Sequence, residues 1–194
     1  MKKLVIRFNA PVILTFALLS LTVLLLGRVT GGVSTYRCFC IYRSSFSDPL
    51  TYVRLFGHVL GHTGYSHYMG NMLLLLLVGP TVESRCGSHA TLLFLLLTAA
   101  ITGAVHFAFF PGSTLLGASG IVFMLIVLSS FADTKKGGIP ITMILVVVLF
   151  LGREIIDALV VRDNVSQLTH IVGGVCGLVF GFSEYGRKNK GKAS

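Results

Sequence analysis

The chain has 194 residues, of which 54% are hydrophobic and 12% are charged, and its mean hydropathy is +0.84. Soluble domains average about 45–50% apolar and about 25% charged residues, so these values exclude an ordinary soluble globule and a disordered chain. The formal net charge of +9 does not indicate nucleic acid, because the basic residues stand mostly between apolar runs, as in membrane-protein loops. The sequence therefore predicts an integral membrane protein with no nucleic-acid partner.

Six apolar runs are candidate transmembrane helices. A hydrocarbon core about 30 Å thick needs about 20 helical residues, and several of these runs are shorter, which is typical of helices that end inside a bundle. They cover residues 10–26, 68–82, 90–107, 115–131, 139–159 and 165–182. We predict one all-α membrane domain over residues 1–194, built as a six-helix bundle.

Basic residues at both ends of the chain set the predicted orientation. The N-terminal residues 1–9 include Lys2, Lys3 and Arg7, and the tail 186–194 is also basic. With six spans both ends lie on one side, and their positive charge places that side in the cytoplasm. The first run lacks a small-x-small cleavage site and is predicted to remain as an anchor. We expect a multi-pass protein of the plasma (inner) membrane, and the short loops favour a prokaryotic cell.

The segment over residues 28–66 is too long for a simple hairpin. It is also too apolar for a solvated linker, at Tyr52-Val53 and Leu55-Phe56. We predict that it folds onto or into the outer leaflet as a partly embedded loop.

His67 and Asn71 open the second apolar run. Their i, i+4 spacing places them about 40° apart on one helical face, so that both side chains can donate hydrogen bonds to one point. Ionisable or strongly polar groups inside a span are costly and are functional candidates by default. The alternative is a capping histidine beside an asparagine that packs between helices.

The sequence Gly117-Ala118-Ser119-Gly120 follows a Pro-Gly turn and precedes an apolar helix. A serine between glycines at a helix N-terminus is open to close approach and lies near unpaired backbone N–H groups and the positive end of the helix dipole. These are the conditions that a nucleophile needs. A serine N-cap beside packing glycines would have the same sequence.

His170 lies early in the last run and shares a helical face with Gly173 and Gly177. Such glycines allow another helix to approach to backbone contact, and the fourth run is the expected partner. The contact would bring the imidazole to Ser119, where a neutral histidine can act as base. Phe123, one turn after Ser119, would then pack its ring against His170. The alternatives are a buried histidine bonded to a carbonyl and a plain core phenylalanine.

His58 and His62 have the i, i+4 spacing of a zinc pair. They lack the glutamate of H-E-x-x-H, and His67 would point away from them on a continuous helix. We therefore predict no metal site, and expect hydrogen bonds from these two histidines to hold the loop against the second span. A hydrolytic zinc site is the rival interpretation.

Ser119, His170, His67 and Asn71 together form a complete set of groups for acyl transfer: a nucleophile, a base and, with the Ser119 backbone N–H, donors for an oxyanion. With these residues the chain resembles the rhomboid intramembrane serine proteases of the minimal six-span type. The resemblance covers residues 54–183. It rests on the histidine series with Asn71, on Gly79 to Ser88 as the family's G-x-x-x-E-x-R-x-G-S segment, on the Gly117–Gly120 loop, and on Thr169-His170-Ile171-Val172-Gly173 with Gly177.

The resemblance implies a catalytic dyad of Ser119 and His170 without an acid, an oxyanion hole lined by His67 and Asn71, and no cofactor. Its expected substrates are transmembrane segments of single-pass proteins within the lipid bilayer, and the oligomeric state is left open. The chain departs from the family at Val53-Arg54, where Trp-Arg is common, and at Phe123, where many members have tyrosine. The alternatives are a rhomboid-like protein that binds transmembrane clients without cutting them and a small transporter.

Overall fold

The computed structural model describes residues 9–133 and 164–190, together with five helical residues between these ranges, namely Ile141, Ile144, Leu145, Val148 and Leu149. The two ranges are helical, with one isolated β-bridge and no longer strand, so the all-α prediction is confirmed for them. The helices are α1 (Pro11–Val29), α2 (Val33–Cys38), α3 (Pro49–Gly57), α4 (Tyr65–Cys86), α5 (Ser88–Phe109), α6 (Ser119–Ser129) and α7 (Asn164–Lys190), with 3-10 turns at His58–Leu60 and Ser130–Asp133.

Among the described residues, three helices are long and apolar enough to cross a bilayer: Pro11–Val29, Ser88–Phe109 and Val165–Glu184. They coincide with the first, third and sixth predicted runs. The 22-residue α4 contains the second run and continues through Pro80. The fifth predicted span, 139–159, lies almost wholly outside the described residues, as do most of 1–9 and the end of the tail. The six-helix count therefore stays a prediction.

Helix α6 is shorter than the run of 115–131 that was predicted there. It begins at Ser119 and has 11 residues. Leu115 instead forms an antiparallel bridge with Ile41, with both N–H···O distances at 2.9 Å, and the Gly117 N–H donates to the His58 carbonyl at 2.9 Å. The segment before α6 is therefore extended, because the loop between α1 and α4 supplies its backbone partners.

Arg54 organises the loop between α1 and α4. Its side chain is only 4% exposed and forms an ion pair of 2.9 Å with Asp48, whose carboxylate also accepts from the Leu50 N–H and caps α3. The Arg54 Nε donates to the Arg37 carbonyl at 2.9 Å, and its guanidinium lies 4.5 Å from the centre of the Tyr42 ring. The loop is thus a packed element, and its embedding in the outer leaflet stays a prediction.

Glu83 joins the starts of α1 and α5 to the end of α4. It is 3% exposed, and its two carboxylate oxygens accept from the backbone N–H groups of Val12 and Ile13, each at 3.0 Å. The Ser88 hydroxyl donates to the same carboxylate at 2.6 Å. N–H groups in the first turn of a helix have no partner within the helix and carry partial positive charge, so a buried carboxylate is stabilised there.

Helices α6 and α7 run parallel and meet through glycine. A side chain on Gly173 would overlap the Gly120 carbonyl, and one on Gly177 would lie 2.5 Å from the Met124 carbonyl oxygen. In lipid, helices associate largely through such close packing, because there is no hydrophobic effect between them. This confirms the expected contact between the glycine-bearing faces of the last helix and the helix after Ser119.

We predict that Glu83→Gln lowers the free energy of unfolding by about 1–3 kcal/mol, since the amide NH₂ would face a backbone N–H and leave it without an acceptor. Thermal unfolding in detergent micelles measures the change. Ser88→Ala is the graded control, because it removes one donor and leaves the carboxylate on both N–H groups. Equal losses from the two variants would contradict this role of Glu83.

Candidate active site

Ser119 is the first residue of α6 and Ala118 is its N-cap, with no side-chain capping hydrogen bond. The alternative in which Ser119 itself caps the helix is therefore wrong. Ser119 is half-buried between the buried residues Ala118 and Gly120. Its position at the N-terminus leaves its own backbone N–H without a partner inside the helix and near the positive end of the dipole.

Gly117 makes room for the side chains of α4. Its φ of +132° is a conformation that favours glycine, and a Cβ there would lie 2.9 Å from His67 Cε1, 3.0 Å from His67 Nε2 and 4.0 Å from Asn71 Nδ2. The two side chains that the i, i+4 spacing placed on one face therefore both approach the loop before Ser119. Asn71 is 7% exposed, and its Nδ2 donates to the His67 carbonyl at 3.2 Å.

Thr63 orients the His67 ring. Its hydroxyl lies 3.2 Å from His67 Nδ1, which leaves Nε2 as the ring nitrogen that faces Gly117. Sequence reasoning missed this residue, although its spacing of four residues from His67 would have been a signal.

The chain neighbours of Ser119 and His170 are in contact, because α7 packs on α6 at this level. The position of a Cβ on Gly120 is 3.2 Å from Thr169 Cγ2 and 3.4 Å from the Thr169 carbonyl oxygen. The rings of Phe123 and His170 are stacked, with centroids 4.4 Å apart and planes 5° apart. The predicted ring packing of Phe123 on His170 is confirmed.

The structure shows no hydrogen bond from the Ser119 hydroxyl to His170 within residues 9–133 and 164–190. Hydrogen bonds between catalytic groups are often long in ligand-free proteins and tighten in the substrate complex. The described residues thus place His67 and Asn71 against the loop before Ser119 and His170 against Phe123 on the same helix, without a preformed serine–histidine hydrogen bond.

His58 connects the loop to α5 rather than to α4, which corrects the prediction for this residue. Its Nδ1 donates to the carbonyls of Leu55 and Arg54 at 3.1 and 3.2 Å, and its Nε2 lies 3.4 Å from the Thr102 hydroxyl. The cause is Gly103, which lets α5 approach so closely that a Cβ there would be 2.8 Å from the Leu55 carbonyl oxygen.

His62 does contact α4, as predicted, but through ring packing. Its ring lies edge-on to those of His67 and Tyr68, with centroids 5.1 and 5.5 Å apart, and its Nδ1 donates to the Leu60 carbonyl at 3.1 Å. Its buried Nε2 has no hydrogen-bond partner among the described residues. Burial, together with the nearby charge of His67, lowers the pKa of His62 to about 4.

The described ranges contain no cluster of three histidine, cysteine, aspartate or glutamate side chains that could hold a metal ion. His58 uses both ring nitrogens in contacts with the protein. His58 therefore has the geometry of a structural histidine. Its own backbone carbonyl accepts the hydrogen bond from the Gly117 N–H.

Comparison with known proteins identifies the family. The family model of the Rhomboid domain matches residues 49–187, which include every candidate residue of the site. The chain belongs to the rhomboid family. This rhomboid is 30% identical over 138 residues to Rhomboid-related protein 1 of Caenorhabditis elegans, covering 66% of this chain and 39% of that protein. It is 28% identical over 161 residues to Rhomboid-related protein 2 of Mus musculus, covering 71% of this chain and 52% of that protein. The match therefore spans about two fifths to one half of these relatives.

We predict that the rhomboid loses stability as the pH falls from about 6.5 towards 4. The pKa of His62 is lowered from 6.5 to about 4 on folding, so the unfolded chain binds a proton in this window before the folded protein does. The free energy of unfolding can be measured in detergent at several pH values. Its slope against pH should correspond to about one proton less in His62→Gln than in wild type. A wild-type slope in His62→Gln would contradict the assignment.

Proposed function

We propose that this rhomboid is an intramembrane serine endopeptidase that cleaves transmembrane segments of single-pass membrane proteins. The observation that supports the proposal best is that four side chains from three helices border one stretch of chain. His67 and Asn71 approach Gly117, Ser119 follows it, and His170 stacks on Phe123 one turn further along. Each has the chemistry that one part of acyl transfer requires.

In the proposed reaction the Ser119 hydroxyl attacks the carbonyl carbon of the scissile peptide while His170 accepts its proton. The imidazolium then gives that proton to the leaving amine as the C–N bond breaks, which leaves an acyl group on Ser119. A water molecule, deprotonated by His170, hydrolyses the ester and restores the serine. Stacking on Phe123 would hold the His170 ring in one orientation through both steps.

The oxyanion that forms in each step needs donors. Asn71 Nδ2, His67 Nε2 and the Ser119 N–H are the proposed donors, and the absence of a side chain at Gly117 leaves the space beside the first two open. Donors that are already held in place stabilise the developing charge without reorganisation, which is the largest single contribution in many enzymes.

The substrate class follows from the site's place between helices of a membrane domain. A transmembrane helix hides its peptide groups in hydrogen bonds, so a segment with glycine or other weak helix formers would unwind at the site more readily. The six-span bundle, the partly embedded loop, and a plasma-membrane location with both termini in the cytoplasm of a prokaryotic cell belong to the same proposal.

We predict that a fluorophosphonate labels the wild-type protein and that Ser119→Ala and His170→Ala each abolish labelling and cleavage of a model transmembrane substrate. The reason is that the first variant lacks the nucleophile and the second lacks its base. Ser129→Ala is a matched control, since its hydroxyl lies at the other end of α6 and donates to the Ile126 carbonyl. It should keep full activity. A wild-type protein that binds a transmembrane client and neither reacts nor cuts would refute the proteolytic function.

We predict that Asn71→Ala lowers kcat by about 10²-fold or less, with little change in KM, because one donor to the oxyanion is lost. Asn71→Asp should lower kcat at least as much, since it keeps the shape of the side chain but replaces a donor by an acceptor. Steady-state cleavage of the model substrate provides both constants. A rise in KM at unchanged kcat would assign Asn71 to substrate binding instead.

A further inference from the structure

An apolar slot lies between α1 and α5, away from the reacting groups of the candidate active site. Its volume is about 450 Å³, which is within the range of small-molecule binding pockets. Thr15 and Leu19 of α1 form one wall, and Leu92 and Leu96 of α5 form the other. Ile121 of α6 lines the back of the slot, and Phe56, Val59 and Leu60 close one end of it.

The slot is about as deep as one leaflet. Along α1 it extends from Pro11 to Leu19, and along α5 from Ser88 to Ala99, which correspond to about 12 and 16 Å of helix rise. Half of the hydrocarbon core measures about 15 Å. Because Glu83 holds the starts of α1 and α5 together, the slot begins at that end of the bundle, and residues of the loop between α1 and α4 line its other end.

The walls of the slot are apolar and exposed. Leu19, Leu92 and Leu96 are 49%, 47% and 45% exposed, although each belongs to a helix that is long and apolar enough to cross the bilayer. Water is a poor occupant of such a slot, because an ordered water needs two to four polar partners and only Thr15 and Ser88 among the lining residues carry polar side chains. The Ser88 hydroxyl already donates to Glu83.

A single hydrocarbon chain fits the depth and the apolar lining of the slot. We propose that the slot binds one acyl chain of a phospholipid from the leaflet that contains the start of α1.

The end of the bound chain would contact the loop that supports the site. Val59 and Leu60 directly follow His58, whose carbonyl accepts from the Gly117 N–H. The lipid would therefore fill the space beneath this loop and resist its displacement into the bilayer. Binding of the acyl chain does not depend on the proteolytic function proposed above, since none of the lining residues belongs to the set of reacting groups.

Two neighbouring leucines allow a matched test. Leu92 lines the slot at 47% exposure, whereas Leu93 is 46% exposed and does not line it. The probe is dioleoyl phosphatidylglycerol, added to protein in a mild detergent and counted per chain by native mass spectrometry. We expect one retained phospholipid in wild type and in Leu93→Trp, and about tenfold less in Leu92→Trp, the loss expected when about two methylene groups lose their place in the slot.

Equal retention in the two tryptophan variants, or none in wild type, would overturn the proposal. If wild type proves to be dimeric in detergent, a loss of the dimer in Leu92→Trp alone, without a change in bound lipid, would also overturn it and would assign the slot to a second copy of the chain. A further measurement needs no variant: a phospholipid with a diazirine at the end of one acyl chain should label wild-type peptides that contain Val59, Leu60 or Ile121. Labelling spread evenly over Leu93 and Leu97 would show ordinary lipid contact and refute a specific site.

Discussion

The contact between Gly120 and Gly173 is the constraint on which the site depends. Any side chain at residue 173 would overlap the backbone of α6, so the distance between α6 and α7 is set by two bare backbones. Ser119 and His170 each neighbour this contact, and they are separated by some fifty residues of sequence. Because helices in lipid gain little from the hydrophobic effect, close van der Waals packing of this kind provides both the stability of the pair and the position of its side chains. The stack of Phe123 on His170 follows from the same approach.

A second set of contacts positions the other half of the site. The loop between α1 and α4 is fixed by Arg54, whose charge is satisfied by a carboxylate and a carbonyl and covered by an aromatic ring. From this loop the His58 carbonyl and the Ile41 bridge reach the segment before α6 and fix Gly117. Gly117 in turn lies against His67. The loop therefore acts on the candidate oxyanion site through backbone hydrogen bonds, which depend little on the side chains of the residues that make them.

Much of this could be predicted from local patterns. The apolar runs located α1, α5 and the membrane part of α7, and helical spacing placed His67 with Asn71 and Phe123 near His170. The glycines of the last run indicated which helix faces meet. These predictions hold because each depends on the periodicity of one helix or on the size of one residue.

The predictions that failed depended on distant partners. The helix after Leu115 begins late because Ile41 pairs with that residue, and His58 binds α5 because Gly103 lets that helix approach. The sequence identified Glu83 only as part of a family segment. Its role in capping α1 could not be read from the pattern, since a buried carboxylate is stabilised there only once the first turn of another helix lies beside it.

The bonds of Glu83 also have a consequence for biosynthesis. Its partners, the N–H groups of Val12 and Ile13, precede it by 71 and 70 residues. At a synthesis rate of about 5–20 residues per second, the ribosome adds this stretch in roughly 4–14 seconds. During that interval the first turn of α1 has no carboxylate to accept its hydrogen bonds and must be solvated by water or lipid headgroups. Helix α1 therefore gains these hydrogen bonds only after the end of α4 has been made.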